Sequence, residues 1–179
     1  MTDQLLLVVA EIQRRGGIGR GDLVNAVAHA GHFAEVAMSA TSIVDLGSGG
    51  GLPGLVVAVR CPNAHVTLIE RRSKRCDLLR YGVRALDLGD RVVVYEGDVR
   101  DYLAGAPPLV DVVTARSFGA PEVVVESAAP MLNHGGVLVV SEPPGNADRW
   151  DQTLVSLLGF RDAGRRGPVR CLERVRVDA

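Results

Sequence analysis

Apolar residues in this chain fall into short blocks parted by glycine-rich or polar breaks, and from Thr41 onward the blocks alternate between two kinds. One kind is β-branched and apolar at successive positions: Ile43-Val44 leading into Asp45, His65 to Glu70, Arg91 to Glu96, Leu109 to Thr114, and Val137 to Ser141. Strands that are apolar on both faces belong to a parallel sheet covered by helices. The other kind is helical: Leu55 to Val59, a stretch from a Ser73 cap through Leu86, and Pro121 to Leu132, ended by Asn133-His134-Gly135-Gly136. Repetition of this unit predicts a doubly wound α/β domain whose ligand lies at the carboxyl ends of the strands.

The two ends of the chain differ from this middle. Residues 1–40 read as helices packing on a domain of residues 41–179, within one domain overall. Gln4 to Arg15 is apolar in a continuous run rather than in stripes, and Arg15-Gly16-Gly17 breaks it. Asp22 suits the N-cap of a second helix, Leu23 to Met38, with Leu23, Val27, Ala30 and Ala34 at helical spacing. His29 and His32 lie three apart on it and read either as a facing functional pair or as helix packing, the plainer account. At the far end, the polar Glu142 to Asn146 precedes a helix from Ala147 to Leu158. Phe160-Arg161-Asp162 and Arg170 to Val177 follow as strands joined by the turn-rich Gly164 to Pro168, an antiparallel hairpin.

Composition narrows the class. The 179 residues suit one domain, and 47% hydrophobic with 23% charged residues is the balance of a soluble globular protein. A net charge of −1 supplies no global basic field, so any nucleic-acid partner must be held by local patches. Two exist. Arg71, Arg72, Lys74, Arg75, Arg80 and Arg84 crowd one helix, and Arg161, Arg165, Arg166, Arg170, Arg174 and Arg176 crowd the hairpin. Each reads as a phosphate track or as a solvated face. Leu5 to Ala10 is too short to span a bilayer, so no membrane association is expected. Cys61, Cys76 and Cys171 form no C-x-x-C pair and the four histidines are scattered, so no metal site is expected. An odd, sparse cysteine count suits a reducing, cytoplasmic compartment.

The chemistry centres on Ile43 to Gly54, IVDLGSGGGLPG. A strand end, a glycine loop and a helix start predict free N–H groups over a nucleotide-type cofactor. Gly49-x-Gly51-x-x-Gly54 matches a dinucleotide fingerprint, whereas Asp45-x-Gly47-x-Gly49-x-Gly51 resembles the first motif of class I methyltransferases, which bind S-adenosylmethionine (SAM). The Asp45 carboxylate favours the cationic end of SAM over a pyrophosphate. Glu70, ending the second strand, is placed for ribose hydroxyls with either cofactor. Asp98 is placed for an adenine amine, with Val99 covering the ring. Arg116 stands at the cofactor's rim, to grip a carboxylate or phosphate or to pair with Asp111 or Asp98.

In order, these motifs resemble the RsmG (GidB) family, which methylates N7 of a guanine in bacterial 16S ribosomal RNA. The resemblance covers about Leu23 to Gly145 and is most specific at Asp45 to Gly54 and at Asp111-Val112-Val113-Thr114-Ala115-Arg116-Ser117. It implies a Rossmann-like class I SAM-dependent methyltransferase fold with a mostly parallel sheet and a C-terminal antiparallel hairpin. It also implies SAM as cofactor, and ribosomal RNA or the small ribosomal subunit as partner. Gly47 and Leu52 would then contact SAM, with Val99-Arg100 near the adenine and Arg116 at the methionine end. Guanine N7 carries a free lone pair, so alignment replaces a general base and no residue stands out as catalytic. The chain departs from the family in a shorter N-terminal region, in Arg100 where Glu is usual, and after the fifth strand. There Ser141-Glu142-Pro143-Pro144-Gly145 replaces Lys-Gly, reversing the charge at the substrate mouth. That reversal leaves room for a same-fold methyltransferase of small molecules or a non-catalytic SAM-binding protein.

Overall fold

The computed structural model describes residues 2–143, 145 and 149–176. Helices α1 (Thr2–Arg14) and α2 (Leu23–Val36) precede an alternating series. In chain order come β1 (Ser42–Leu46), α3 (Gly54–Arg60), β2 (His65–Glu70), α4 (Ser73–Ala85) and β3 (Val92–Glu96). Next are α5 (Val99–Ala104), β4 (Val110–Ala115), α6 (Pro121–Ala128) and β5 (Leu132–Ser141). The chain closes with α7 (Gln152–Leu157) and the hairpin β6 (Phe160–Arg166) and β7 (Val169–Arg174).

The strands form one sheet ordered β3-β2-β1-β4-β5-β7-β6. The first five are mutually parallel and β7 runs antiparallel to β5 and to β6. This is the class I methyltransferase fold. Strand order reverses between β1 and β4, where Asp45 pairs in register with Thr114, and the loops leaving those strands diverge to opposite faces. One face is covered by a core including Val8, Ile12, Phe33, Leu55 and Leu79, and the other by Val125, Met131, Trp150 and Phe160.

Several boundaries differ from the sequence reading. In α1 the apolar run does resolve into a stripe: Leu5, Val8, Val9 and Ile12 are buried while Leu7 faces solvent. Asp22 caps α2 as expected, accepting from Asn25 N at 3.1 Å. Ser73 is not the cap of α4 but its first residue, with Arg72 at the N-cap. Pro130 closes α6 early into a short 3-10 turn (Ala129–Met131), and the following Leu132-Asn133-His134 joins β5 rather than ending a helix. The hairpin strand β6 runs on to Arg166, so the turn is confined to Gly167-Pro168. Of the helix expected from Ala147, residues 147–148 lie outside the described residues and α7 begins at Gln152. The expected end of the last strand at Val177 also lies outside them.

Candidate functional site

Two cavities open at the carboxyl edge of the parallel strands, and both are lined by Ser117 and Phe118 from the loop after β4. The wider one, about 630 Å3, lies over the ends of β1, β2 and β3. Of the ten residues singled out from the sequence, Gly47, Glu70, Asp98, Val99 and Arg100 line it. Arg116 lines the narrower cavity, about 350 Å3, at the ends of β4 and β5. Asp45, Gly49, Gly51 and Leu52 line neither; Asp45 lies in β1 and the other three form the turn that follows it.

The glycine loop is built from within. Ser48 N donates to Ile69 O, Gly49 N to Glu70 Oε2 at 3.0 Å, and Gly51 N to Ser48 O. The amides of residues 48, 49 and 51 are therefore spent inside the protein, and the free row of N–H groups expected from the motif is absent at those positions. Gly47 is the loop residue that meets the cavity. Its φ of +65° suits glycine, and a Cβ there would come within 2.8 Å of the Phe118 ring. Leu52 packs beside the cluster of Leu5, Val9, Val27, Ala30 and Val56, tying the loop to the N-terminal helices.

Asp45 is 1% exposed. Its Oδ1 accepts from Thr114 Oγ1 at 2.7 Å, while its Oδ2 is buried without a hydrogen-bond partner among the described residues. Burial pushes the carboxyl up to about 6, against the smaller opposing pull of Thr114, Ser48, Gly54 and Arg116. Its Oδ2 lies against Gly54, beneath the glycine turn rather than on either cavity wall. Glu70 is also buried, its Oε1 accepting from Arg72 N at 2.8 Å and its Oε2 from Gly49 N. It thus braces the loop from the end of β2 as well as facing the cavity. Asp98 caps α5, accepting from Arg100 N at 3.0 Å, and so sets Val99 and Arg100 on the cavity wall. Sequence reading had no helix here; a six-residue helix after a strand leaves little periodic signal.

The narrower cavity differs in kind. His29 from α2, Arg116, Val124 from α6, Val140 from β5 and Arg149 converge on it. Arg116 forms no ion pair among the described residues, so neither Asp111 nor Asp98 holds it. Asp111 sits at the other end of β4, its Oδ2 accepting from Thr41 N and Oγ1 and from Ser42 N. Arg116 is half-buried with Nη1 enclosed and unpartnered, and burial lowers its pKa. His29 does not pair with His32. It tilts against Phe33 at 5.9 Å, whereas His32 Nδ1 lies 3.2 Å from Glu35. The place of His29 on the cavity wall was not legible in the sequence, because helical spacing shows which residues share a face, not which loop that face meets.

Glu142 overturns the expected charge reversal. Its side chain is 1% exposed, accepts from Trp150 Nε1 and from Arg165 Nη2, and lies within 3.8 Å of Arg149 and Arg170. An acid so surrounded presents no net negative field to the mouth. The same contacts spend part of the hairpin's basic cluster, as do Arg161 on Glu173 and Arg170 on Asp162. In the other cluster Arg80 is taken by Glu96, while Arg71, Arg72 and Arg75 line the wide cavity.

Comparison with known proteins follows the same lines. Residues 18–152 match the family model GidB, described as rRNA small subunit methyltransferase G. Curated proteins named Ribosomal RNA small subunit methyltransferase G are similar: that of Hyphomonas neptunium is 39% identical over 64% of this chain and 51% of its own. That of Rubrobacter xylanophilus is 34% identical over 73% of this chain and 51% of its own. The chain thus spans about half the length of the curated relatives it matches. Among solved structures, an O-methyltransferase from Bacillus cereus in complex with SAH superposes with a TM-score of 0.65 at 15% identity, over 95% of this chain and 88% of that one. An O-methyltransferase family protein from Burkholderia thailandensis gives 0.66 at 20% identity, over 85% and 58%. At such identities the likeness is one of fold.

Proposed function

Because the chain belongs to the rRNA small subunit methyltransferase G family, we propose that it is a SAM-dependent methyltransferase acting on guanine N7 of 16S ribosomal RNA, within or near the small ribosomal subunit in the cytoplasm. The observation that carries this reading is the pair of cavities meeting at Ser117 and Phe118, one lined by the strand-end acids Glu70 and Asp98 and the other by the half-buried Arg116. When bound, SAM supplies an electrophilic methyl group: the N7 lone pair forms the new N–C bond, the S–C bond breaks, and the positive charge passes from sulfur to the base without loss of a proton.

The residues fit such a ligand. Asp45 offers an acceptor for the ammonium group, directly or through water, with Gly47 admitting the chain past Phe118. Glu70 and Asp98 present carboxylates for the ribose and the adenine amine, Val99 lies beside the ring, and Arg100 stands at its edge. Gly49, Gly51 and Leu52 hold the turn that places Gly47. Arg116 serves the methionine end from the acceptor side. With nothing to deprotonate, alignment and exclusion of water are the work required of the protein. Glu142 was the feature favouring a small-molecule substrate, and its burial among arginines removes that support.

Calorimetric titration with S-adenosylhomocysteine, with NADH in parallel, tests the cofactor; methyl transfer to unmethylated small subunits and to naked 16S RNA tests the acceptor. Saturable binding of the former ligand alone, followed by transfer to N7, is the expected result. NADH binding without S-adenosylhomocysteine binding, or transfer to neither RNA substrate, would overturn it.

A further inference from the structure

His29 and Arg116 line the same narrow cavity, and each carries a buried nitrogen without a hydrogen-bond partner among the described residues, Nε2 and Nη1 respectively. Two unsatisfied polar groups against one cavity call for a ligand that satisfies both. Their chemistry is complementary. A guanidinium is donor only, so Arg116 asks for an acceptor; a neutral imidazole also offers an acceptor nitrogen, which asks for a donor. The charge on His29 is disfavoured by burial, by Arg116 and by His32, and the other charged groups at the cavity are Arg149 and the arginine-ringed Glu142. The remaining walls, with Ala115, Phe118, Val124 and Val140, suit a flat apolar body.

We infer that the narrow cavity receives the acceptor base and that His29 selects it, His29 Nε2 accepting from N1–H of a 6-oxopurine while Arg116 donates to its O6. This rests on the methyl-transfer reading above. Enzymes of this kind take the target base out of its stack and read its pairing edge in a pocket. Guanine presents an acceptor and a donor side by side there, matching Arg116 and His29. Adenine presents the reverse order, setting donor against donor and acceptor against acceptor. A neutral His29 also adds no further cation to Arg116 and Arg149 beside a base that becomes positive on methylation.

The test uses the full chain loaded with S-adenosylhomocysteine, with GMP, IMP and AMP as probes and the His29 ring nitrogens followed by NMR. GMP and IMP should shift the Nε2 signal and AMP should not. His29→Leu should cut kcat/KM on small subunits about 10- to 100-fold, and His29→Gln, which keeps an acceptor, should recover part of it. Both variants should bind S-adenosylhomocysteine like the parent, which shows that they fold. Equal shifts with GMP and AMP, or His29→Leu working at the parent's kcat/KM, would overturn the assignment. If GMP shifts His29 but no RNA is methylated, the base pocket stands and the ribosomal reading falls.

Discussion

The two cavities flanking Ser117 and Phe118 are assembled in different ways. The wide one is made by residues at successive strand ends, Gly47 after β1, Glu70 at the end of β2 and Asp98 after β3. Each is supported locally: Glu70 holds the amides of Gly49 and Arg72, and Asp98 holds that of Arg100. The narrow one is made by residues remote in sequence, from His29 on α2 to Arg149 before α7, and its supports are long-range. Glu142 draws Arg149, Arg165 and Arg170 together from three segments. A cofactor common to many enzymes needs a repeatable local frame, whereas an acceptor pocket can be varied by moving distant parts. Damage to the first should therefore abolish ligand binding, and damage to the second should loosen the fold around the acceptor.

The largest effect expected is at Gly47. Gly47→Arg places a side chain where a Cβ already meets Phe118 at 2.8 Å, at a φ that disfavours any branch. S-adenosylhomocysteine binding should fall below detection by calorimetry while the melting transition survives. Retained binding would mean that the wide cavity is not the cofactor site. Next is Glu142→Leu, which leaves Arg170, 5% exposed, without one of its acidic neighbours. Removing one member of a buried charged cluster costs about 3 kcal/mol, to be read by urea unfolding, with cofactor affinity little changed. A loss of affinity equal to the loss of stability would show that the cavities are not independent.

The same contrast explains what was legible in the sequence. The alternation of strands and helices, the glycine loop and the acids at strand ends follow from short-range patterns, since a strand end fixes where the next few residues project. Glu142 was read with the wrong consequence, because its sign is written in the chain but its neighbours Trp150 and Arg165 are 8 and 23 positions away. His29 was placed on the right helix without a partner. The loop amides were assigned to a ligand because sequence reveals glycines but not which carbonyl or carboxylate each N–H reaches, such as Glu70 for Gly49.

Asp45 separates ligand binding from stability by pH. Its folded pKa of about 6 lies above the unfolded value of 3.8. Between these the folded state holds a proton that the unfolded state releases, so the free protein gains stability as pH falls from about 6 towards about 4. Affinity should move oppositely, because an ammonium-bearing ligand needs the ionised carboxylate. Binding of S-adenosylhomocysteine should weaken by up to about tenfold per pH unit below 6, and Asp45→Asn should flatten the profile. A flat profile for the parent from pH 5 to 7 would place the ammonium elsewhere.

The smallest effect belongs to the hairpin's outer edge. Arg161 reaches Glu173 at 2.6 Å, and the two are cross-strand partners on β6 and β7, yet the Arg161 side chain is 67% exposed. Solvent screens such a pair, and its short distance does not make it strong; Arg161→Ala should cost less than about 1 kcal/mol. It lines neither cavity, so ligand affinity should not change. The informative readout is RNA binding as salt is varied. If Arg161 is tied to Glu173, the variant should keep the parent's salt slope, because no phosphate contact is lost. A slope reduced by about one would mean that Arg161 leaves Glu173 for the phosphate backbone. The basic hairpin would then extend the narrow cavity's reach along the RNA.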